Sequence, residues 1–229
     1  MNILALDTSM GACSAAVLRR GGAAQVLFAR QEMMARGHAE ALLPMVADVL
    51  AEAGLPAGEI DLIAATTGPG SFTGVRIAIA AARGLALVTG AKLFGTDSLT
   101  VMARAALAED LAGEPFAVAV DARRGMIYFG LYDGAARKLD GPLLLAPDDA
   151  AKLLPATLQF AVGSGAALLA EAASRRGAQI TARLPELQPS AQVLAGIAAA
   201  SGETSPALRP LYLRPPDAKP QAQEAAERR

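Results

Sequence analysis

Short apolar runs broken by small polar residues fill the start of the chain. Residues 3–7 (ILALD) and 13–18 (CSAAVL) read as two strands joined by the turn Thr8-Ser9-Met10-Gly11, and 24–30 reads as a third. The period then changes. From His38 to Ala53 the apolar residues Leu42, Met45, Val46, Val49, Leu50 and Ala53 form one broad stripe, which predicts an amphipathic helix with Pro44 kinking its early turns. A buried strand at 61–66 (DLIAAT), a helix from about Thr73 to Val88, a strand at 92–96 and a helix over 98–111 follow. A meander followed by alternating helix and strand predicts a mixed sheet with helices packed on it.

Gly113-Glu114-Pro115 marks a lobe boundary, because the opening device then recurs. A strand at 116–121 (FAVAVD) ends in Asp121, the turn Ala122-Arg123-Arg124-Gly125 follows, and a strand returns over 126–132. Asp7 stands in the same position in the first half, which suggests two lobes related by duplication. A strand at 158–162, the turn Gly163-Ser164-Gly165 and helices near 166–176 and 190–200 complete the second half. The expected division is a first lobe over 1–113, rejoined by 205–216, and a smaller second lobe over 114–204. Pro, Gln, Ala and charges dominate from Pro215 onward, so 217–229 reads as a mobile tail.

With 53% hydrophobic residues, the 229-residue chain can bury a substantial core. Its net charge of −1 and 4% aromatic content, without Trp, argue against a nucleic-acid grip of its own. The doublets Arg19-Arg20, Arg123-Arg124 and Arg175-Arg176 fall at turns or helix ends and read as solvated. The N-terminus meets Asp7 at once, without a basic leader or an apolar run long enough to span a bilayer, which places the protein in the cytoplasm. Cys13, the one cysteine, lies in a strand-like run and reads as a buried thiol in a reducing compartment.

The sharpest local signal is the stretch from Thr66 to Arg76, TTGPGSFTGVR, between a strand and a helix. Its glycines permit left-handed backbone, and Ser71 or Thr73 can cap the helix while free amides face an anion. It lacks the Gly-Lys-Ser/Thr ending of a P-loop. Anion binding and a structural turn both fit. The helix after it carries Gly74, Ala78, Ala82 and Ala86 at four-residue spacing, a small-residue ridge that admits another helix closely, while Ile77, Ala81, Leu85 and Val88 form a ridge able to cover the sheet. Two packable faces place this helix either deep inside or at a subunit interface. His38, the single histidine, has Leu42 where a helical metal site would want its second ligand, so we read it as a hydrogen-bonding helix-start or interface residue. Asp7 and Asp121 end strands beside polar turns, an arrangement suited to gripping phosphates between two lobes. Arg123 and Arg124 nevertheless occupy the second turn, where bare backbone is expected. Gly163-Ser164-Gly165 sits where such a two-lobed fold contacts a nucleoside, though a plain strand-to-helix turn is the preferred reading.

Taken in order, ILALDTS, GACSAAVL, HAEALLPMV, GPGSFTGVRI, GTDSL, DARRGMIYFGLY and PLYLRPP resemble the TsaB (YeaZ) family over nearly the full chain. The resemblance implies an α/β, two-lobed actin/sugar-kinase/Hsp70-like (ribonuclease H-like) fold with mixed sheets and flanking helices. It implies a dimerisation subunit of the bacterial complex that makes N6-threonylcarbamoyladenosine on tRNA. TsaD would perform the transfer, TsaE would be a third partner, and tRNA would be met only through the complex. TsaD carries a His-x-x-x-His metal site whose second position aligns with Leu42. The resemblance further implies a partner interface on His38, Leu42, Met45 and Val49 of one helix and Gly74, Ala78 and Ala82 of the next, with a homodimer when the chain is isolated. It assigns no cofactor or metal to this chain and leaves room for a nucleotide at the subunit boundary. Asp7, Thr8, Ser9, Gly68, Gly70, Ser71, Thr73 and Asp121 would be vestigial phosphate or anion loops. An ATP-dependent phosphotransferase built on Asp7 is the alternative. A peptidase is disfavoured by the lack of HExxH and of a free histidine base.

Overall fold

A computed structural model describes residues 1–21, 24–109, 113–205 and 207–214. The stretch expected to form a mobile tail lies outside these residues. The first sheet contains strands β1 (Asn2–Asp7), β2 (Ala12–Gly21), β3 (Ala24–Met33), β4 (Leu62–Thr66) and β5 (Lys92–Thr96), ordered β3-β2-β1-β4-β5. β1 pairs antiparallel with β2 and parallel with β4. The second sheet contains β6 (Phe116–Asp121), β7 (Ile127–Tyr132), β8 (Lys138–Leu145), β9 (Phe160–Val162) and β10 (Thr181–Arg183), ordered β10-β9-β6-β7-β8. β6 pairs antiparallel with β7 and parallel with β9. Counted from its own first strand, each sheet has the order 3-2-1-4-5 with the same polarities. That is the two-lobed actin/sugar-kinase arrangement, and Asp7 and Asp121 end the equivalent central strands.

Ile3, Leu4, Ala5 and Leu6 of β1 are all fully buried, because helices cover both faces of the sheet and a strand so enclosed is apolar throughout. One face meets α1 (His38–Glu52) and α2 (Phe72–Thr89); the other meets α6 (Ala191–Ser201). In the second sheet, Phe116, Val118, Tyr132 and Phe160 pack against α3 (Ser98–Ala106), and the opposite face packs against α5 (Ala166–Arg175).

Two helices do not follow the chain division expected from sequence. α6 falls within 114–204 but lies on the first sheet, where Ala191, Leu194, Ala195 and Ala198 pack on Ile3, Ala5 and Ala16. α3 precedes the expected boundary yet places Leu99, Met102 and Ala103 in the core of the second sheet, while its Val101 joins the first. Helix and sheet thus cross between lobes. Sequence patterning also missed β8, β10 and the four-residue helix α4 (Pro147–Ala150). β8 and β10 are edge strands, β10 exposed throughout, so neither needs apolar alternation. α3 stops at Ala106 and passes into a 3₁₀ turn over Leu107–Glu109. α2 is long and apolar enough by composition to cross a membrane, yet its buried side chains pack on the first sheet beside α1.

Candidate functional site in the interlobe cleft

Asp7 ends the buried central strand with no exposed surface. Its carboxylate accepts hydrogen bonds from the Thr66 hydroxyl and from Ser9 Oγ at 2.8 Å, and Ser98 Oγ donates to Ser9 Oγ at 3.0 Å. Burial pushes the Asp7 carboxyl up to about 6, against the opposing pull of the bonds from Thr66 and Ser9.

The glycine-rich stretch closes over this group. Gly68 takes φ 98°, and the Gly68-Pro69 peptide is cis. Gly70 and Gly74 then approach so closely that a Cβ at either position would collide with the carbonyl of Ser9 or Thr8, respectively. Ser71 N donates to Ser9 O at 2.8 Å, and Thr8 Oγ1 donates to Gly74 O at 2.6 Å. Ser71 also caps α2, its Oγ accepting from Gly74 N at 2.9 Å. The amides of Ser71 and Gly74, the natural anion donors of such a loop, are therefore bonded inside the protein. Thr73 points outward on α2 and joins none of it.

Asp121 lines a cleft of about 730 Å³ between the lobes, which Asp7 does not reach. Asp121 N donates to Ser164 Oγ at 3.1 Å, and the Asp121 carboxylate accepts from Arg123 N at 2.7 Å and pairs with the Arg123 guanidinium at 3.3 Å. Arg123, Arg124 and Gly125 hold positive φ of 63°, 56° and 71°, so the left-handed backbone of the second turn is carried in part by residues other than glycine. The Ser164 turn meets the second hairpin here, a contact the sequence reading did not anticipate.

Residues 207–214 form one wall as a strap; the sequence reading has 205–216 rejoin the first lobe and PLYLRPP as a motif, but does not place it in the cleft. Leu208 is buried in the core beneath α2, Arg83 donates to its carbonyl, and Leu211 N donates to Thr67 O at 2.7 Å. Tyr212 stacks on Phe72 at 5.4 Å and accepts from Arg76 Nε at 2.6 Å, while the Arg76 guanidinium lies 3.6 Å from the Phe72 centroid. Arg214 reaches the other lobe and donates to Ala122 O at 3.1 Å.

The expected interface residues require correction. Leu42, Met45 and Val49 of α1 and Gly74, Ala78 and Ala82 of α2 are all buried in the chain's own fold. The small ridge serves close approach to the first sheet and its hairpin turn. The other ridge, expected to cover the sheet, is the more exposed one: Ile77, Ala81 and Leu85 are half-buried, and Val88 is 86% exposed. Beside the exposed Phe72, Thr73, Arg76 and Arg83, α2 shows Ala80, Gly84, Leu87 and Val88 to solvent, with Leu87 87% exposed. His38 is half-buried, and its Nε2 donates to the Met10 carbonyl at 3.1 Å, tying the start of α1 to the first hairpin turn. Arginines of the doublets have separate partners: Arg19 bonds the Ala53 carbonyl, Arg20 the Ala199 carbonyl, and Arg175 pairs with Asp148 and Glu171.

Fold and cleft define a two-lobed protein of the actin/sugar-kinase class in which the first turn is filled by the chain's own loop. A family model described as TsaD: tRNA N6-adenosine threonylcarbamoyltransferase matches residues 27–209. The structure titled YeaZ from Pseudomonas aeruginosa superposes with a TM-score of 0.78 at 36% identity, covering 93% of this chain and 99% of that one. An uncharacterized protein of Mycobacterium tuberculosis is 35% identical over 96% of this chain and 95% of its own length. The tRNA threonylcarbamoyladenosine biosynthesis protein TsaB of Haemophilus influenzae is 40% identical over 56% of this chain, a match spanning 52% of that protein. The chain belongs to the family of the threonylcarbamoyltransferase model, in its TsaB/YeaZ group.

Proposed function

We propose that this chain acts in tRNA threonylcarbamoyladenosine biosynthesis as a non-catalytic partner. In this reading it binds TsaD and supports transfer of a threonylcarbamoyl group to N6 of the adenosine beside the anticodon. The observation that carries the reading is the outward face of α2, where Ala80 and Gly84 leave room for a close helix and Leu87 and Val88 are almost wholly exposed. A Cβ on Gly84 would meet nothing within 4 Å. Two further features fit a subunit without chemistry of its own: Leu42 stands in the core where the second metal ligand of TsaD aligns, and the hydroxyls and amides around Asp7 bond one another. In this reading tRNA is met through the complex, TsaE joins as a third partner, and the work is done in the cytoplasm. The isolated chain pairs with itself through the same α2 face.

Co-elution with TsaD tests the assignment. Gly84→Arg abolishes co-elution and leaves the isolated fold intact by circular dichroism, whereas unchanged co-elution removes α2 from the interface. Ala82→Arg, placed in the core, loses the fold itself.

A further inference from the structure

The interlobe cleft is used by neither the fold nor the proposed partner contact. At about 730 Å³ it falls within the size range of small-molecule sites. At its inner end Gly70 and Ser71 pack against Ser9, so the Ser71 amide that could face a phosphate is bonded to the first hairpin turn. The remaining wall is largely apolar, with Met10, Val120 and Leu187 on one side and Leu211 and Leu213 of the strap on the other. Tyr128 adds an aromatic ring, its hydroxyl 3.4 Å from the Gly70 carbonyl. Asp121 supplies the one carboxylate of this lining and is already paired with Arg123, while Arg214 brings a second guanidinium from the strap. The described charges therefore sum to one excess positive charge beside an apolar, aromatic surface.

We propose that this cleft binds a small organic anion with a flat apolar body, the body lying among Leu187, Leu211 and Tyr128 and the anionic group meeting Arg214. The strap makes the site: without Leu208 and Leu211 anchored to the first lobe, one wall and the second cation are missing. The proposal is independent of the TsaD reading, because the outward face of α2 lies outside the cleft lining.

Isothermal titration of the full chain with 8-anilinonaphthalene-1-sulfonate, a flat aromatic monoanion, tests this. One probe binds per chain, at least tenfold more tightly than the uncharged N-phenyl-1-naphthylamine. Arg214→Ala weakens binding at least tenfold, and Ser164→Trp, which fills the exposed mouth, abolishes it. Leu87→Ser with Val88→Ser leaves binding unchanged. Circular dichroism confirms the fold of each variant, and Leu213→Asp replaces Ser164→Trp should that variant not fold. Binding that survives in the filled or Arg214→Ala variants, is lost on changing Leu87 and Val88, or is as tight for the uncharged probe overturns the proposal.

Discussion

The peptide nitrogen of Ser71 donates to the carbonyl of Ser9 at 2.8 Å, and this bond ties the start of α2 to the first hairpin turn. A turn that in an open two-lobed protein could present its backbone to a phosphate is bonded to its own chain instead. Packing at this junction is close enough to be probed by single atoms.

Gly70→Ala and Gly74→Ala each drive a methyl group into a carbonyl of the turn, Ser9 in one case and Thr8 in the other. Backbone cannot yield as a flexible side chain can, so each substitution costs about 2–4 kcal/mol. Gly84→Ala meets open space in the middle of a helix and stabilises by about 0.5–1 kcal/mol. Urea denaturation of the three variants checks both signs.

Asp7 makes stability depend on pH. Its carboxyl is raised to about 6 in the folded protein from 3.8. The folded state therefore holds its proton more tightly than the unfolded chain. The resulting stabilisation is fully present below about pH 4 and is lost as pH rises through about 6, a decline on the order of 1–3 kcal/mol from this group. Asp7→Asn removes that decline, so the difference in unfolding free energy between variant and native protein changes across this window. A difference constant from pH 4 to 7 would contradict the assignment.

Cys13 is fully buried, and burial pushes its thiol up to about 11, with the Asp7 and Glu32 carboxylates adding to the shift. Native protein at pH 8 reacts with a disulfide reagent at a rate limited by opening of the fold. The same thiol reacts within the mixing time in denaturant.

Leu208 tests whether the strap belongs to the fold. Its side chain is 1% exposed and sits with Ala78, Ile79 and Val75 beneath α2. Leu208→Ala costs about 2–4 kcal/mol, measured by chemical denaturation. Arg214→Ala, at the end of the same strap, costs little and changes the cleft instead.

Much of the fold was legible in the sequence because period and turn chemistry are local. β1 and β6 were visible as apolar runs ending in Asp7 and Asp121, and the repeated strand, turn and returning strand pointed to the duplication that the two sheets display. α1 and α2 were visible from their spacing. The rotation of α2 was not, because Ala, Gly, Ile, Leu and Val occupy nearly every side of it. Gly74, Ala78 and Ala82 were expected at an interface and are buried in the chain's own core. The site was legible in part: the stretch Thr66–Arg76, both aspartates, the Gly163-Ser164-Gly165 turn and PLYLRPP were singled out, whereas the meeting of Ser98 with Ser9, of Ser164 with Asp121 and of the strap with the cleft carried no local signal.

By itself the sequence determined the apolar elements other than β8, β10 and α4, their order, the candidate turns and the absence of a second histidine near His38, since each depends on residues a few positions apart. Only the tertiary structure decided which face of α2 is inward, that α6 crosses to the first sheet, and that Asp121 rather than Asp7 faces the cleft. Those outcomes rest on contacts between distant parts of the chain, such as Thr8 with Gly74, Gly11 with Gln188 and Ser14 with Ala191. Steric fit and hydrogen bonding across such separations appear only once the chain has folded back on itself.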